Sequence, residues 1–208
     1  KEKVAKVEDP TDQEVIDYLN NNLSTYNDAR RSQHILFKVN SGATDEEKAE
    51  VKEKTQEVLD KINAGEISFD DAVSKYSEDT GSKDDKGDVG WDKLTSFVDE
   101  YQSALSGLNK GDVSQLVESS YGYHIIKCTG YFHVDESVTS IDQVPKKIVS
   151  YIKNILKTQK ESTAYSEWMD DYIKKANIQV NDMPKEVPYN VSLEGVTPST
   201  GSSSTTSE

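Results

Sequence analysis

The spacing of apolar positions along this chain changes several times, and each change marks an element. After Pro10, Thr11-Asp12-Gln13-Glu14 has the form of a capping box. Ile16, Leu19, Leu23 and Tyr26 follow at helical spacing and predict a short helix with one apolar stripe. From Arg30 to Val39 the period drops to two. Ile35, Phe37 and Val39 alternate with His34, Leu36 and Lys38, and both faces carry apolar groups. That pattern predicts a central strand, broken by Asn40-Ser41-Gly42. Helical spacing returns with a second capping box, Thr44 to Glu47, followed by Val51, Val58, Leu59 and Ile62, with Gly65 suited to the end. Ser68 to Asp71 opens a shorter helix that turns Phe69, Ala72, Val73 and Tyr76 inward.

The chain then becomes polar. Ser77 to Gly90 carries Glu78, Asp79, Asp84, Asp85 and Asp88 with three glycines, which predicts a long loop ended by Trp91. Phe97, Tyr101, Ala104, Leu105 and Leu108 mark a fourth helix, closed by Lys110-Gly111. Val113 to Glu118 and Tyr123 to Tyr131 read as two strands of an antiparallel hairpin joined by Ser119-Ser120-Tyr121-Gly122. The order strand, three helices, two strands predicts an α+β fold with a small, mainly antiparallel sheet and surrounding helices. From Ser140 to Ala176 the spacing predicts one long helix or two short ones, with Pro145 in the first turn. Its apolar side includes Ile148, Ile152, Trp168 and Tyr172 and requires a packing partner. The end of the chain, almost all Ser, Thr and Gly after Thr197, reads as a disordered tail. The resulting division is a helical segment at 1–29, an α+β domain at 30–132, a long helix at 135–180 and the tail at 181–208.

Charge narrows the functional classes. The 208 residues carry 24 Lys plus Arg against 38 Asp plus Glu, a formal charge of −14 that repels phosphate backbones and argues against nucleic-acid binding. No apolar run approaches the ~18 residues that read as a membrane-spanning helix. A single cysteine, Cys128, excludes an intrachain disulfide framework and a cysteine-based zinc site. The chain opens at Lys1 without Met or a signal-like stretch and reads as a piece of a longer protein.

Three histidines are the first candidates for chemistry. His34 lies in the first strand and His124 in the last, and adjacent strands would bring the two imidazoles together in the sheet. Taken alone, such a pair reads first as a satisfied hydrogen bond in a core. His133 reads as surface. His34, His124 and Asp79 lack the short local spacing of common zinc motifs, and the Asp79–Asp88 loop does not match a calcium-loop register. Neither a Gly-x-Ser-x-Gly elbow nor a phosphate loop is present.

Four blocks together carry a resemblance. His34-Ile35-Leu36-Phe37 resembles the opening strand of the parvulin (rotamase, PpiC-type) peptidyl-prolyl cis-trans isomerases. Phe69 to Ser77 with Asp79, followed by Gly87-Asp88-Val89-Gly90-Trp91, resembles the second block of that family. Gly111-Asp112-Val113-Ser114 and Tyr121 to Lys127 resemble its closing blocks, in the family's order. The flanking helices resemble those of extracytoplasmic foldases of the PrsA and SurA type, in which a parvulin domain is inserted into a helical chaperone lobe.

The resemblance implies roles position by position. His34 and His124 match the paired histidines, and Asp79 matches the acidic or thiol residue on the floor of the site. Val89, Phe97 and Tyr101 match the apolar wall that receives the proline ring, and Ser119 and Tyr121 match the rim of the last hairpin. Val89 stands where Leu or Met is usual, Phe97 for Met, Tyr101 for Phe and Ser119 for Thr. The implied activity is isomerisation of X-Pro bonds, whose rotation is slowed by a resonance barrier of ~20 kcal/mol. It needs no cofactor or metal: the proline is held in an apolar pocket while the amide is twisted beside a dry polar centre. Asp79 is expected to orient the imidazoles and not to attack. The Lys38–Ala43 stretch has one Lys and no Arg, so no preference for phosphoserine-proline is expected. The resemblance further implies an extracytoplasmic setting at a bacterial cell surface or envelope, membrane anchoring of the full-length protein, and unfolded proline-containing polypeptides as partners. The helical segments offer a face for clients or for a homodimer. The competing expectation is a holdase chaperone or binding module with a catalytically weak parvulin fold.

Overall fold

In the computed structural model, which describes residues 7–176, a ten-residue strand β1 (Ala29–Lys38) forms the spine. It pairs antiparallel on one side with β2 (Asp88–Trp91) and on the other with the eleven-residue β4 (Gly122–Phe132). A three-residue β3 (Val117–Ser119) completes a four-stranded sheet of order β2-β1-β4-β3. The β1–β4 ladder runs from Ala29 opposite Phe132 to Lys38 opposite Gly122.

Alternation along these two strands divides the molecule into layers. Ile35, Phe37 and Ile125 face one side and are buried against Val58 and Leu59 of α3 (Asp45–Asn63) and Phe69, Ala72 and Val73 of α4 (Phe69–Tyr76). Ile126 and Cys128 face the other side and pack under Tyr101 and Leu105 of α5 (Asp99–Ser106). Fully burying side chains such as Phe37 or Leu59 contributes ~1.5–3 kcal/mol each. At one end of the sheet a third cluster joins Val15, Ile16 and Leu19 of α1 (Asp12–Asn21) and Tyr26 of the one-turn α2 (Leu23–Tyr26). Trp91, Phe132, Val138 and Val144 extend it to Ile148 and Ile152 of α6 (Lys146–Lys175). The first half of the long helix thus has α1 as the partner its apolar stripe requires. Exposed ion pairs border the contact: Lys153–Asp12, Lys157–Asp9 and Lys160–Glu14.

Both predicted capping boxes are present, Thr11 with Glu14 and Thr44 with Glu47. Other expectations shift for local reasons. The first helix divides at Asn22, whose side-chain amide donates to the Tyr18 carbonyl. The polar 77–90 loop contains a 3-10 turn (Lys83–Asp85) and yields the edge strand β2 at its end. Of the predicted 113–118 strand only Val117 and Glu118 are regular, and β3 takes in Ser119 from the predicted turn. The Ser114 hydroxyl accepts the Ile126 N–H, so a side chain replaces the ladder acceptor there. The long helix is continuous from Lys146, after a separate 3-10 turn (Ile141–Gln143) and Pro145. Residues 1–6 of the predicted N-terminal segment, residues 177–180 of the predicted helix and the 181–208 tail lie outside the described residues.

Gly122 opens β4 at φ +131°, and a Cβ there would collide with the Phe37 carbonyl oxygen. Two asparagines fasten the chain where it leaves the sheet. Asn27 donates from Nδ2 to the Val134 carbonyl and accepts the Val134 N–H at Oδ1, both at 2.9 Å. Asn20 makes the same reciprocal pair with Val138 at 3.0 and 2.8 Å. The residues divide into two compact units between Tyr165 and Ser166.

Candidate active site

The α5 side of the sheet exposes a small cleft over β1 and β4. Because His34 lies opposite Ile126, and His124 opposite Leu36, the two histidines are diagonal neighbours on one face. Their rings stack at 5.4 Å and 20°, with Nδ1 to Nδ1 at 3.2 Å. Both are buried, at 7% and 4% exposure.

Each imidazole has a second partner at its far nitrogen. His34 Nε2 lies 2.8 Å from Asp79 Oδ2, and His124 Nε2 lies 2.7 Å from the Ser119 hydroxyl. All four ring nitrogens are therefore engaged. Asp79 is placed by the turn that follows α4: the Glu78 N–H donates to the Leu36 carbonyl, and the Asp79 N–H to the Ser77 hydroxyl. Partial burial works against ionisation of Asp79. Donation from the Ser82 hydroxyl, from His34 and from the Gly81 N–H outweighs it and holds the carboxyl down at about 2. Burial, reinforced by the His34 ring and partly offset by Asp79, pushes His124 down to about 4 and keeps it neutral at pH 7.

These conditions determine the proton positions for a neutral pair. Ionised Asp79 only accepts, so His34 carries its proton on Nε2. His34 Nδ1 is then an acceptor, His124 donates from Nδ1, and His124 Nε2 accepts from Ser119. The Ser119 oxygen in turn accepts the Tyr121 N–H at 3.1 Å. The result is a one-directional chain from Ser119 through both imidazoles to Asp79.

Tyr101 stands edge-on to both rings, at 5.7 Å from His34 and 5.6 Å from His124. Its hydroxyl pairs with the fully buried Ser32 at 3.0 Å, and burial raises its phenol well above the usual range. Phe97 packs on Tyr101 at 4.7 Å. With Val89, Val98 and Leu36 these rings line a cleft of about 240 Å³, floored by the histidines and Asp79 and bordered by Ser96 and Tyr121. That is smaller than the ~300 Å³ at which drug-sized ligand sites begin and suits a single ring or side chain.

Of the residues singled out in the sequence, the structure brings His34, His124, Asp79, Val89, Phe97, Tyr101 and Tyr121 around one cleft. Ser119 is not among its lining residues; its hydroxyl serves His124 instead. His133 lies elsewhere, on the surface between Asp28 and Asp135. Sequence reasoning missed Leu36, Ser96, Val98 and Ser82. Leu36 was within reach, since it lies two residues from His34 on one strand face. Among the described residues no group of three or more His, Cys, Asp or Glu is arranged to hold a metal ion.

Comparison with known proteins adds four findings. Residues 34–130 match the family model for rotamases, described as the PPIC-type PPIASE domain. The chain is 32% identical over 151 residues to the foldase protein PrsA of Oceanobacillus iheyensis, covering 73% of this chain and 45% of that protein. It is 30% identical over 151 residues to the chaperone SurA of Photorhabdus laumondii, covering 73% and 33%. The chain thus spans less than half the length of these relatives. A crystal structure of the peptidylprolyl isomerase PrsA from Bacillus cereus aligns over 83% of this chain and 57% of that one, at 25% identity and a TM-score of 0.44.

Proposed function

Residues 34–130 form a PpiC-type rotamase domain, and from that premise we propose that the chain catalyses non-covalent cis-trans rotation about X-Pro bonds in unfolded polypeptides. The observation that carries this reading is the imidazole pair, closed at both ends by Asp79 and Ser119, on the floor of an apolar cleft of single-ring size. The proline ring sits against Val89, Phe97 and Tyr101, and its amide faces the histidines. Rotation requires loss of amide resonance, and the twisted amide is less dipolar than the planar one. A cleft that strips water from the planar ground state therefore favours the twisted state. With all four ring nitrogens already engaged, neither histidine is free to act as a nucleophile. Their part is to hold a rigid, preorganised polar floor.

Among the described residues no Lys or Arg lines the cleft, which supports indifference to phosphate on the residue before proline. Clients are taken to be partly folded secreted or envelope proteins, and the setting extracytoplasmic, by analogy with the named foldase relatives. Among the described residues no helix is long and apolar enough to cross a membrane. A second reading, a holdase with weak catalysis, is favoured by Tyr172 and Ile173, exposed at 58% and 50% near the end of α6.

The test is isomerisation of short X-Pro peptides, measured by exchange NMR for wild type and Asp79→Ala, with matched Ser-Pro and phosphoserine-Pro members. The expected result is acceleration of both members alike, falling at least tenfold in the variant. A folded wild-type protein that accelerates no peptide would leave the holdase reading in its place.

A further inference from the structure

The loop between α4 and β2 holds a buried hydroxyl that lies outside the cleft lining. Ser82 is 4% exposed, and its hydroxyl donates to Asp79 Oδ2, the same oxygen that holds His34 Nε2. The other carboxylate oxygen is held by the Gly81 N–H at 3.1 Å. The backbone of Ser82 is equally committed. Its carbonyl accepts the Asp85 N–H at 3.0 Å and the Gly87 N–H at 2.8 Å. The Gly87 carbonyl in turn accepts the His34 N–H at 2.9 Å. Gly87 can approach because it has no Cβ; one there would strike the His34 carbonyl oxygen. The 79–87 loop therefore grips His34 twice, at its ring through Asp79 and at its backbone through Gly87. Ser82 is bonded to both grips.

We propose that Ser82 is a positioning residue of the isomerase site, whose hydroxyl fixes the Asp79 carboxylate and thereby the proton arrangement of the histidine pair. The proposal rests on the rotamase reading for its catalytic consequence only. The charged and titratable groups around the carboxylate are His34, His124 beyond it, and Tyr101 above. Lys83 sends its ammonium to the Ser77 carbonyl. Among the described residues no ammonium or guanidinium donates to Asp79, so its hydrogen bonds come from neutral hydroxyl and backbone donors and from His34. A carboxylate held this way is sensitive to the loss of any one donor.

The experiment compares wild type with Ser82→Ala and Ser82→Cys, the latter keeping the shape with a weaker donor. Long-range 1H–15N spectra report the His34 and His124 tautomers, carboxyl 13C shifts report the Asp79 titration, and X-Pro exchange reports activity. In Ser82→Ala, the Asp79 midpoint is expected to rise by about one unit, the effect of losing one hydrogen bond to the ionised form. The tautomer signals are expected to mix, and kcat/KM to fall about tenfold at pH 7. Ser82→Cys should fall between, and it carries the test if the alanine variant does not fold. An unchanged Asp79 midpoint and unchanged tautomers in a folded variant would overturn the proposal while leaving the rotamase reading intact. Shifted tautomers in a protein that is inactive even as wild type would overturn the rotamase reading while keeping the positioning role.

Discussion

At the scale of single residues, burial and pairing have consequences that acid can measure. The folded state lowers His124 from 6.5 to about 4 because protonation would place a charge among buried rings. Its contribution to stability is thus fully present above pH 6.5. It is lost as pH falls toward 4, where the unfolded chain binds a proton that the folded chain refuses. The loss amounts to about 3 kcal/mol. Asp79, also lowered, contributes above its ordinary value and loses that only toward pH 2, below the histidine window. Exposed His133, raised by its hydrogen bonds to Asp135 and Asp28, has the opposite sign, so the informative quantity is a difference between variants. Urea midpoints measured from pH 7 to 4 should fall more steeply for wild type than for His124→Gln. Parallel slopes would show that His124 titrates as in the unfolded chain.

At the scale of elements, what the sequence revealed and what it hid separate by how local the cause is. Capping boxes, the period-two run of β1 and the stripes of α3 and α4 are local, and all were legible. Four-residue β2 was not, because Asp88-Val89-Gly90-Trp91 has no alternation to read and becomes a strand only through its pairing with β1. The irregular course before β3 was hidden for a similar reason, since a serine hydroxyl takes over one ladder bond. In the site, Asp79 and the histidines were legible through the motif blocks, whereas Ser82 works through a loop closure that no spacing displays. The same logic gives a prediction at the β3–β4 turn. Gly122→Ala combines a positive φ with a clash against the Phe37 carbonyl oxygen and should destabilise the fold by at least about 2 kcal/mol. A thermal melt within a degree or two of wild type would mean that the turn relaxes without cost.

At the scale of the whole molecule, the acidic surface and the two compact units bear on how a client would be handled. A formal charge of −14 keeps a protein soluble while apolar grooves are open. In the second unit, Trp168 stacks on Tyr172 at 5.3 Å, and both are at least 40% exposed. If clients are held there, Trp168→Ala with Tyr172→Ala should weaken suppression of aggregation of an unfolded test protein by severalfold. Turnover of a short X-Pro peptide should be unchanged. Equal loss in both assays, or in neither, would count against a holding surface on α6.

The pairing of Ala29 with Phe132 also has a consequence for transplantation. The two ends of the 29–132 span lie across one ladder position, about 5 Å apart, and just outside it Asn27, at the end of α2, and Asn20, on α1, bond the chain that follows β4. A host spliced at that neck receives an insert whose ends are already closed. The span between 29 and 132 therefore adds almost nothing to the entropy the host must lose on folding. The closed neck is half of what such a host must supply: Trp91 and Phe132 within the span are buried together with Leu19, Ile148 and Ile152, so the host must also present an apolar face that covers those two rings.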